Sequence, residues 1–391
     1  MSGIKINNDV YYVGVRDWDR RLFDELIPLP EGTTYNSYLI LGKEKTALID
    51  TADPDKKDIY MDYLKNSGVK KIDYIIANHA EQDHSGCLPY VLETYPGAKV
   101  VTNQKCKDFL KELLVIDDDK FLVIADKETL PLGGKTLQFF MTPWVHWPET
   151  MITYLVEDKI LFSCDFFGSH FATSDLFVTD ENVVYHNAKR YFAEIMLPFR
   201  IQIRKNVEVV EALKIEMIAP SHGPIYKNPK MIIDAYKDWI SDKVKPEVLI
   251  PYTSMHGSVE KIVQYLTDKF AEKGLFVKPF NLNKTDIGEL AMALVDASTI
   301  IIGSPMVLAG PHPSIASAAV LVNALRPKTR FISVVGSFGW GGKLVEVLTS
   351  LISNVKAEVI EPVLVKGVAK NEDFKKLDGL IETIVEKNKN L

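Results

Sequence analysis

The chain has 391 residues, 47% hydrophobic and 25% charged, which is typical of a soluble globular protein of two or three domains and excludes global disorder. Its net charge of −6, without a stripe of Lys and Arg, excludes nucleic acid as an expected partner. No apolar run reaches the roughly 20 residues of a membrane helix, and the amino terminus lacks a signal-peptide pattern, so we expect no membrane contact. Its three cysteines, Cys87, Cys106 and Cys164, form no CxxC pair and fit the reducing cytoplasm.

The first 245 residues predict a strand-rich domain with intervening helices. β-branched and aromatic runs bounded by turn residues favour strands. Helices are predicted at 58–66 and at 229–243, where Pro229 suits a first helical turn. The predicted strands are 11–15, 37–41, 46–50, 72–77, 99–102, 135–141, 151–156, 159–163 and 216–219.

The pattern changes after Val244-Lys245-Pro246, which we interpret as a domain junction. Short apolar runs then alternate with stretches of helical periodicity, which favours a doubly wound parallel five-stranded sheet. We therefore predict two domains, 1–245 and 246–391. The predicted strands of the second are 248–251, 277–280, 299–302, 331–335 and 360–364.

Side chains that bind metals cluster at the ends of predicted strands in the first domain. Four of them, His79, Glu81, Asp83 and His84, lie within six positions on a predicted loop after strand 72–77. Three more, His146, Asp165 and His222, follow other strands. Because sites are commonly built where strands end, this pattern predicts a metal site.

This arrangement resembles the metallo-β-lactamase superfamily, an αββα sandwich that carries HxHxDH followed by His, Asp and His. Glu81 stands where the hydrolases of the superfamily have a second His. Four imidazoles and three carboxylates suit iron that cycles between ferrous and ferric states better than zinc. By spacing alone, a zinc or manganese hydrolase stays an alternative.

Three loops of the second domain predict a nucleotide-type cofactor site at the ends of parallel strands. Hydroxyls and backbone N–H groups at a helix amino terminus form a phosphate cradle, and glycine permits close approach to a planar ring. A plain turn with a helix cap is the other reading of the first loop. The loops contain Thr253, Ser254, Met255, His256, Gly257 and Ser258; Ser304, Pro305 and Met306; and Ser337, Phe338, Gly339, Trp340 and Gly341.

This segment resembles flavodoxin, which implies FMN with its phosphate in the first loop and its ring between the other two. Flavodoxin-like domains commonly continue the second loop with Thr and Asn after Gly-Ser-Pro. Met306 and Val307 stand there instead, so the first loop is the firmer expectation. There is no GxGxxG or Walker-type loop in the sequence.

A metal domain followed by a flavodoxin-like domain is similar to the flavodiiron proteins, also called A-type flavoproteins. The resemblance covers nearly the whole chain and includes the HxExDH run and His146-Trp147-Pro148. It implies reduction of O2 to water, or of NO to N2O, at a non-haem diiron centre fed by FMN. It further implies a head-to-tail homodimer, or a dimer of dimers, and an external donor such as rubredoxin or reduced F420.

The resemblance also implies roles for individual residues. Asp165 would be shared by both irons, and Tyr191 and His170 are candidates for residues near the substrate. His84 is the ligand position that varies among relatives. One iron would be held by His79, Glu81, His146 and Asp165, and the other by Asp83, His84, His222 and Asp165.

Two other functions remain open at the level of sequence. The first is a zinc-type hydrolase fused to a flavodoxin-like module, which iron content would distinguish. The second is an FMN electron carrier whose metal domain is only structural, which predicts flavin redox activity without O2 or NO turnover.

Overall fold

The computed structural model describes residues 3–391, which form two compact units. The first extends to Phe192 and includes Phe199–Ile240; the second comprises Ala193–Pro198 and Ser241–Leu391. Assignment of 1–245 to a metal domain and 246–391 to a flavin domain stays a prediction. Among residues 3–391 we find no helix with the length and hydrophobicity of a membrane span.

The first unit contains sixteen of the strands and seven of the α-helices that the structure describes in residues 3–391. The strands are β1 Ile4–Lys5, β2 Val10–Tyr12, β3 Val15–Asp17, β4 Leu22–Phe23, β5 Ile27–Pro28, β6 Thr33–Tyr35, β7 Tyr38–Leu41, β8 Thr46–Ile49, β9 Tyr74–Ile76, β10 Lys99–Thr102, β11 Phe121–Val123, β12 Thr129–Pro131, β13 Thr136–Met141, β14 Met151–Leu155, β15 Ile160–Cys164 and β16 Met217–Pro220. The helices are α1 Lys57–Asn66, α2 Gln82–Ser85, α3 Leu88–Thr94, α4 Gln104–Leu114, α5 Glu181–Tyr191, α6 Arg200–Glu211 and α7 Pro229–Ile240.

Two mixed sheets pack face to face in this unit. Their strand orders are β1-β2-β7-β8-β9-β10-β11 and β12-β13-β14-β15-β16. Alternate side chains along a strand point to opposite faces. Leu48 and Ile75 therefore pack with α1, α3 and α4, while Ile49 and Ile76 pack with Phe139 and Phe162 between the sheets. The expected αββα sandwich is confirmed.

The second unit contains one main sheet with helices on it. Its strands are β17 Lys245–Tyr252, β18 Phe276–Asn281, β19 Ala297–Val307, β20 Gly310–Pro311, β21 Phe331–Phe338, β22 Glu358–Val359 and β23 Val363–Lys366. Its helices are α8 Ser258–Glu272, α9 Ile287–Leu294, α10 Pro313–Leu325, α11 Leu344–Leu351 and α12 Asn371–Lys389. The order β18-β17-β19-β21-β22, parallel throughout, confirms the expected doubly wound sheet.

Shorter helical segments complete the described secondary structure. They are the 3₁₀ turns Pro54–Lys56, Asp118–Lys120 and Leu197–Phe199, and the π-helical segment Phe192–Met196.

Several sequence-based expectations about local structure are wrong. The strand predicted at 11–15 is the end of β2 and the start of β3, which belong to different sheets. Where one strand is predicted at 360–364, the structure has β22 before that range and β23 from Val363, both on the same edge of β21, and Pro362 between them has no N–H to donate to a ladder. Ser304, Pro305 and Met306 lie within β19 rather than in a loop, because β19 continues to Val307 and pairs with β20. Ser337 and Phe338, also predicted in a loop, lie within β21, where they pair with Val365 and Lys366 of β23. Apolar periodicity gave no signal for the polar extension of β19.

The HxExDH run, which the sequence predicts on a loop, lies partly on a helix. Asp83 and His84 lie on the one-turn helix α2, and Glu81 is the residue before it. A four-residue helix is too short to leave a periodic pattern in the sequence.

Candidate metal centre and flavin pocket

Seven potential metal ligands converge in the first unit. His79 follows β9, His146 lies between β13 and β14, Asp165 follows β15, and His222 follows β16. Their ligand atoms form two groups, each with all atoms within 4.8 Å of one another. The groups are His79, Glu81, His146 and Asp165; and Asp83, His84 and His222.

In the first group, two imidazoles face one carboxylate. The Nε2 atoms of His79 and His146 each lie 3.1 Å from Oε2 of Glu81. The side chains of Glu81 and His146 retain 12% and 13% exposure, whereas that of His79 is fully buried. This group is therefore the one that solvent reaches.

In the second group, Asp83 lies between two imidazoles. Its Oδ1 is 3.2 Å from Nε2 of His84 and its Oδ2 is 3.1 Å from Nε2 of His222. All three residues are buried. The structure thus brings His84 into contact with other candidate ligands.

Asp165 faces both groups, one oxygen to each. Its Oδ2 lies 3.5 Å from Nε2 of both His79 and His146. Its Oδ1 lies 3.0 Å from Nε2 of His84 and 3.4 Å from Nε2 of His222. This is the arrangement of a carboxylate that bridges two ions.

The donor set fits a metal pair by a second observation. Both carboxylate oxygens of Asp83, both of Asp165, and Nε2 of His84 are buried and form no hydrogen bond of good geometry with the described residues. Buried polar groups normally have such partners, because an unpaired one costs about 1–3 kcal/mol. Carboxylate oxygens and imidazole nitrogens that face one another without forming hydrogen bonds are arranged as ligands around cations are.

The candidate imidazoles and carboxylates of the centre shift one another's pKa toward the charged form. Burial alone would lower the pKa of His146 and His222, but the facing carboxylate oxygens and negative charge of Asp165, Glu81 and Asp83 raise the pKa to about 9 for His146 and about 10 for His222. Burial alone would raise the pKa of Asp165, yet the imidazoles hold it well below its usual value. The centre therefore favours positive charge, as a cation site must.

Hydrogen-bond acceptors at Nδ1 orient two of the imidazoles. Nδ1 of His79 lies 2.7 Å from Oε1 of Glu149, and Nδ1 of His222 lies 2.6 Å from the carbonyl oxygen of Thr34. In both residues Nε2 is thereby left for a metal. Sequence reasoning missed both partners, since a backbone carbonyl has no sequence signature and Glu149 lies 70 positions from His79.

Tyr191 and His170 lie beside the second group. The ring centre of His170 is 4.8 Å from those of His222 and Tyr191, and its Nδ1 is 2.8 Å from the hydroxyl of Thr33. Burial and the neighbouring His222 hold the pKa of His170 well below its usual value. Burial, together with the nearby negative charge of Asp165, raises the pKa of Tyr191 well above its usual value.

Beneath the centre, Asp50 connects two of the segments that carry ligands. Its carboxylate accepts hydrogen bonds from the backbone N–H and the side-chain amide of Asn78, at 2.8 and 2.9 Å. Asn78 precedes His79, and Ser221, which precedes His222, donates to the same carboxylate at 3.4 Å. The network fixes the ends of β9 and β16 relative to each other.

In the second unit, the ends of the parallel strands surround a cavity of about 190 Å³. Nine of the fourteen residues predicted to bind the cofactor line it, together with Val259 and Gly367, which sequence reasoning missed. Gly367 follows β23, so the strand-end rule that selected the other loops could have found it. The nine are Ser254, Met255, His256, Ser258, Pro305, Met306, Ser337, Phe338 and Gly339.

The other five predicted residues lie outside the lining. Thr253 and Ser304 are buried beside it, where Thr253 contacts the Ser314 hydroxyl at 2.8 Å and Ser304 accepts from the His312 N–H at 3.1 Å. Gly257 caps α8, and Trp340 and Gly341 are exposed.

The amino terminus of α8 at this cavity fits a phosphate group. Gly257 adopts a φ of +82°, which favours glycine, and it supplies no side chain to cap the first helical turn. The Ser254 hydroxyl accepts from the N–H groups of Gly257 and Glu260, at 3.1 and 3.3 Å. The other N–H groups of the first turn, which no side chain caps, lie beside hydroxyls at a cavity, and such groups fit an anion.

Comparison with known proteins shows similarity along almost the whole chain. Residues 33–223 match the family model described as ODP family beta lactamase. A nitric oxide reductase of Moorella thermoacetica is 34% identical over 382 residues, covering 95% of this chain and 96% of the relative. The solved rubredoxin oxygen:oxidoreductase of Desulfovibrio gigas superposes with a TM-score of 0.95 at 30% identity, covering 99% of each chain. The flavodiiron protein of Giardia intestinalis gives a TM-score of 0.89 at 29% identity over 98% of each chain.

Proposed function

The chain belongs to the flavodiiron protein family, and on this premise we propose that it reduces O2 to water, NO to N2O, or both. The reaction would take place at a pair of iron ions that receive electrons through FMN. Names of relatives support both substrates, since one is a nitric oxide reductase and another a rubredoxin oxygen:oxidoreductase.

The observation that carries this proposal is the orientation of Asp165. Its two oxygens face different groups of ligands, at 3.5 Å on one side and 3.0–3.4 Å on the other. A single ion would need only one of these groups. Three carboxylates against four imidazoles suit iron, because they offset the charge of two divalent ions and stabilise a higher oxidation state.

The proposed holders of the two ions follow from the two groups. His79, Glu81 and His146 would hold the first ion, Asp83, His84 and His222 the second, and Asp165 would hold both. When bound, two ferrous ions and reduced FMN together supply the four electrons that turn O2 and four protons into two waters, or two electrons for each pair of NO molecules.

Tyr191 and His170 provide hydrogen-bonding groups next to this centre. With its pKa raised well above the usual value, Tyr191 keeps its proton and presents an O–H donor near Asp165. With its pKa lowered well below the usual value, His170 stays neutral, and its ring is held by the Thr33 hydroxyl. We assign them to orienting the substrate, which is too small to make many contacts of its own.

In the second unit, the amino terminus of α8 with Ser254 and Ser258 would bind the FMN phosphate. Met306 and Phe338 would contact the ring, since both line the same cavity. Backbone N–H groups of the first helical turn would hold the anion.

The resemblance also supports a head-to-tail homodimer, alone or as a dimer of dimers, working in the cytoplasm. In such a dimer the FMN of one copy would serve the metal pair of the other. The external donor would be rubredoxin or reduced F420, and the name of the Desulfovibrio gigas enzyme supports rubredoxin.

Metal and flavin analysis tests the assignment of cofactors. We expect about two irons per chain and one FMN, with an absorption band at roughly 450 nm, in protein purified without added metal. Two zincs with little iron, repeated in protein from iron-supplied cells and accompanied by ester hydrolysis, would contradict it.

A further inference from the structure

A buried carboxylate lies directly behind one candidate ligand. Oε1 of Glu149 accepts from Nδ1 of His79 at 2.7 Å and from the backbone N–H of Ala80 at 3.1 Å. The Glu149 side chain is fully buried, and its Oε2 has no hydrogen-bond partner within residues 3–391. Burying a carboxylate with so few hydrogen-bond donors costs folding free energy. We therefore expect Glu149 to have a function beyond packing.

The position of Glu149 is fixed independently of the metal ligands. The side-chain amide of Asn103 donates to the Glu149 carbonyl oxygen at 2.6 Å, and Asn103 also caps α4 by accepting from the Cys106 N–H at 3.0 Å. Two residues later, the Met151 N–H donates to the Asn78 carbonyl oxygen at the entry to β14. The carboxylate is thus held against His79 by the backbone of the sandwich.

Glu149 distinguishes the two ligand groups. A carboxylate acceptor on Nδ1 makes an imidazole a stronger electron donor through Nε2 than a neutral acceptor does. His79 in the first group has that carboxylate, whereas His222 in the second has the neutral carbonyl oxygen of Thr34.

We propose that Glu149 is a positioning residue that fixes His79 with Nδ1 protonated and Nε2 free, and so makes the first group the tighter of two unequal iron positions. The inference rests on the proposed function in assuming two irons. It goes beyond the proposed function because it attributes the difference in Fe(II) affinity between the two positions to one residue that is a ligand of neither ion.

Glu149→Gln tests the charge while it keeps the size of the side chain and one acceptor oxygen. We expect Fe(II) at the first position to bind about 10–100-fold more weakly, measured by anaerobic titration against a chelator, with the second position unchanged. Mössbauer spectra of ⁵⁷Fe-loaded protein should show that one of two iron signals is lost or altered. Glu149→Asp, which retains the charge, should restore much of the affinity, and Glu31→Gln, at an exposed position, should change nothing.

Each outcome decides a separate question. Unchanged Fe(II) affinity in Glu149→Gln, or equal weakening at both positions, would overturn the inference while two irons in the wild type leave the proposed function intact. Fewer than two irons in the wild type would instead remove the proposed function. FMN content and circular dichroism report whether the Gln variant folds. If it does not, the Asp variant decides, because its shorter side chain loosens the contact with His79 Nδ1: weaker Fe(II) binding at the first position alone supports the positioning role, and unchanged affinity or equal weakening at both positions contradicts it.

Discussion

At the scale of residues, the centre depends on where single oxygen and nitrogen atoms point. Every candidate imidazole in the two groups presents Nε2 to a carboxylate, and Asp165 alone contacts four of them. Its carboxyl is buried, and the surrounding imidazoles keep its pKa well below the usual value, so it is ionised whenever the protein is folded near neutral pH. A charge in this position would bind both ions, whereas each of the other six candidate ligands belongs to one group.

Asp165→Ala should therefore remove the connection between the two ions. We expect iron content to fall from about two per chain to one or fewer and turnover to fall at least about 100-fold, because under the proposed function the lost carboxylate would be a direct ligand of both metals. FMN content should stay the same. Iron and flavin analysis of the variant beside Asp58→Ala, a side chain 92% exposed on α1, provides the control. Full activity with two irons in Asp165→Ala would refute the bridging role.

At the scale of elements, both sites are built where strands end. β9, β15 and β16 lead to candidate ligands of the metal centre, and β17, β21 and β23 lead to residues that line the candidate flavin pocket. Apolar runs in the sequence predict these strands and therefore most of the site residues that follow them. Polar extensions such as the end of β19, and the one-turn helix α2, leave no such pattern.

The turn before α8 provides a prediction for the flavin pocket. Ser254→Ala removes the hydroxyl that accepts from Gly257 and Glu260 at the helix amino terminus and that would donate to the phosphate. A hydrogen bond to a charged group contributes about 1.5–3 kcal/mol, so FMN should bind about 10–100-fold more weakly. Riboflavin, which has no phosphate, should bind nearly as in the wild type.

Flavin fluorescence titration measures both ligands. Ser350→Ala, which removes an exposed hydroxyl on α11, is the matched control. Equal losses for FMN and riboflavin would place the effect on the ring or on folding and would contradict a phosphate contact at Ser254.

At the scale of the whole molecule, sequence alone predicts the order of the two folds and the seven converging ligands. It predicts them because metal ligands and strand ends are local features of the chain. What it does not predict are partners from distant segments: Glu149 behind His79, the Thr34 carbonyl behind His222, and Asp50 beneath Asn78. These contacts depend on how the two sheets pack, which no short motif encodes.

The central claim is that O2 or NO is reduced at a metal pair fed by FMN. Its most direct test measures how many electrons of the reduced protein are used for each O2 consumed or each N2O formed. Protein is fully reduced without oxygen, freed of excess reductant and mixed with O2 or with NO. We predict that about one O2 is consumed per four electrons without release of hydrogen peroxide, or that one N2O forms per two electrons. Flavin that reoxidises with release of peroxide, and no N2O from NO, would contradict the account and leave an FMN electron carrier in its place.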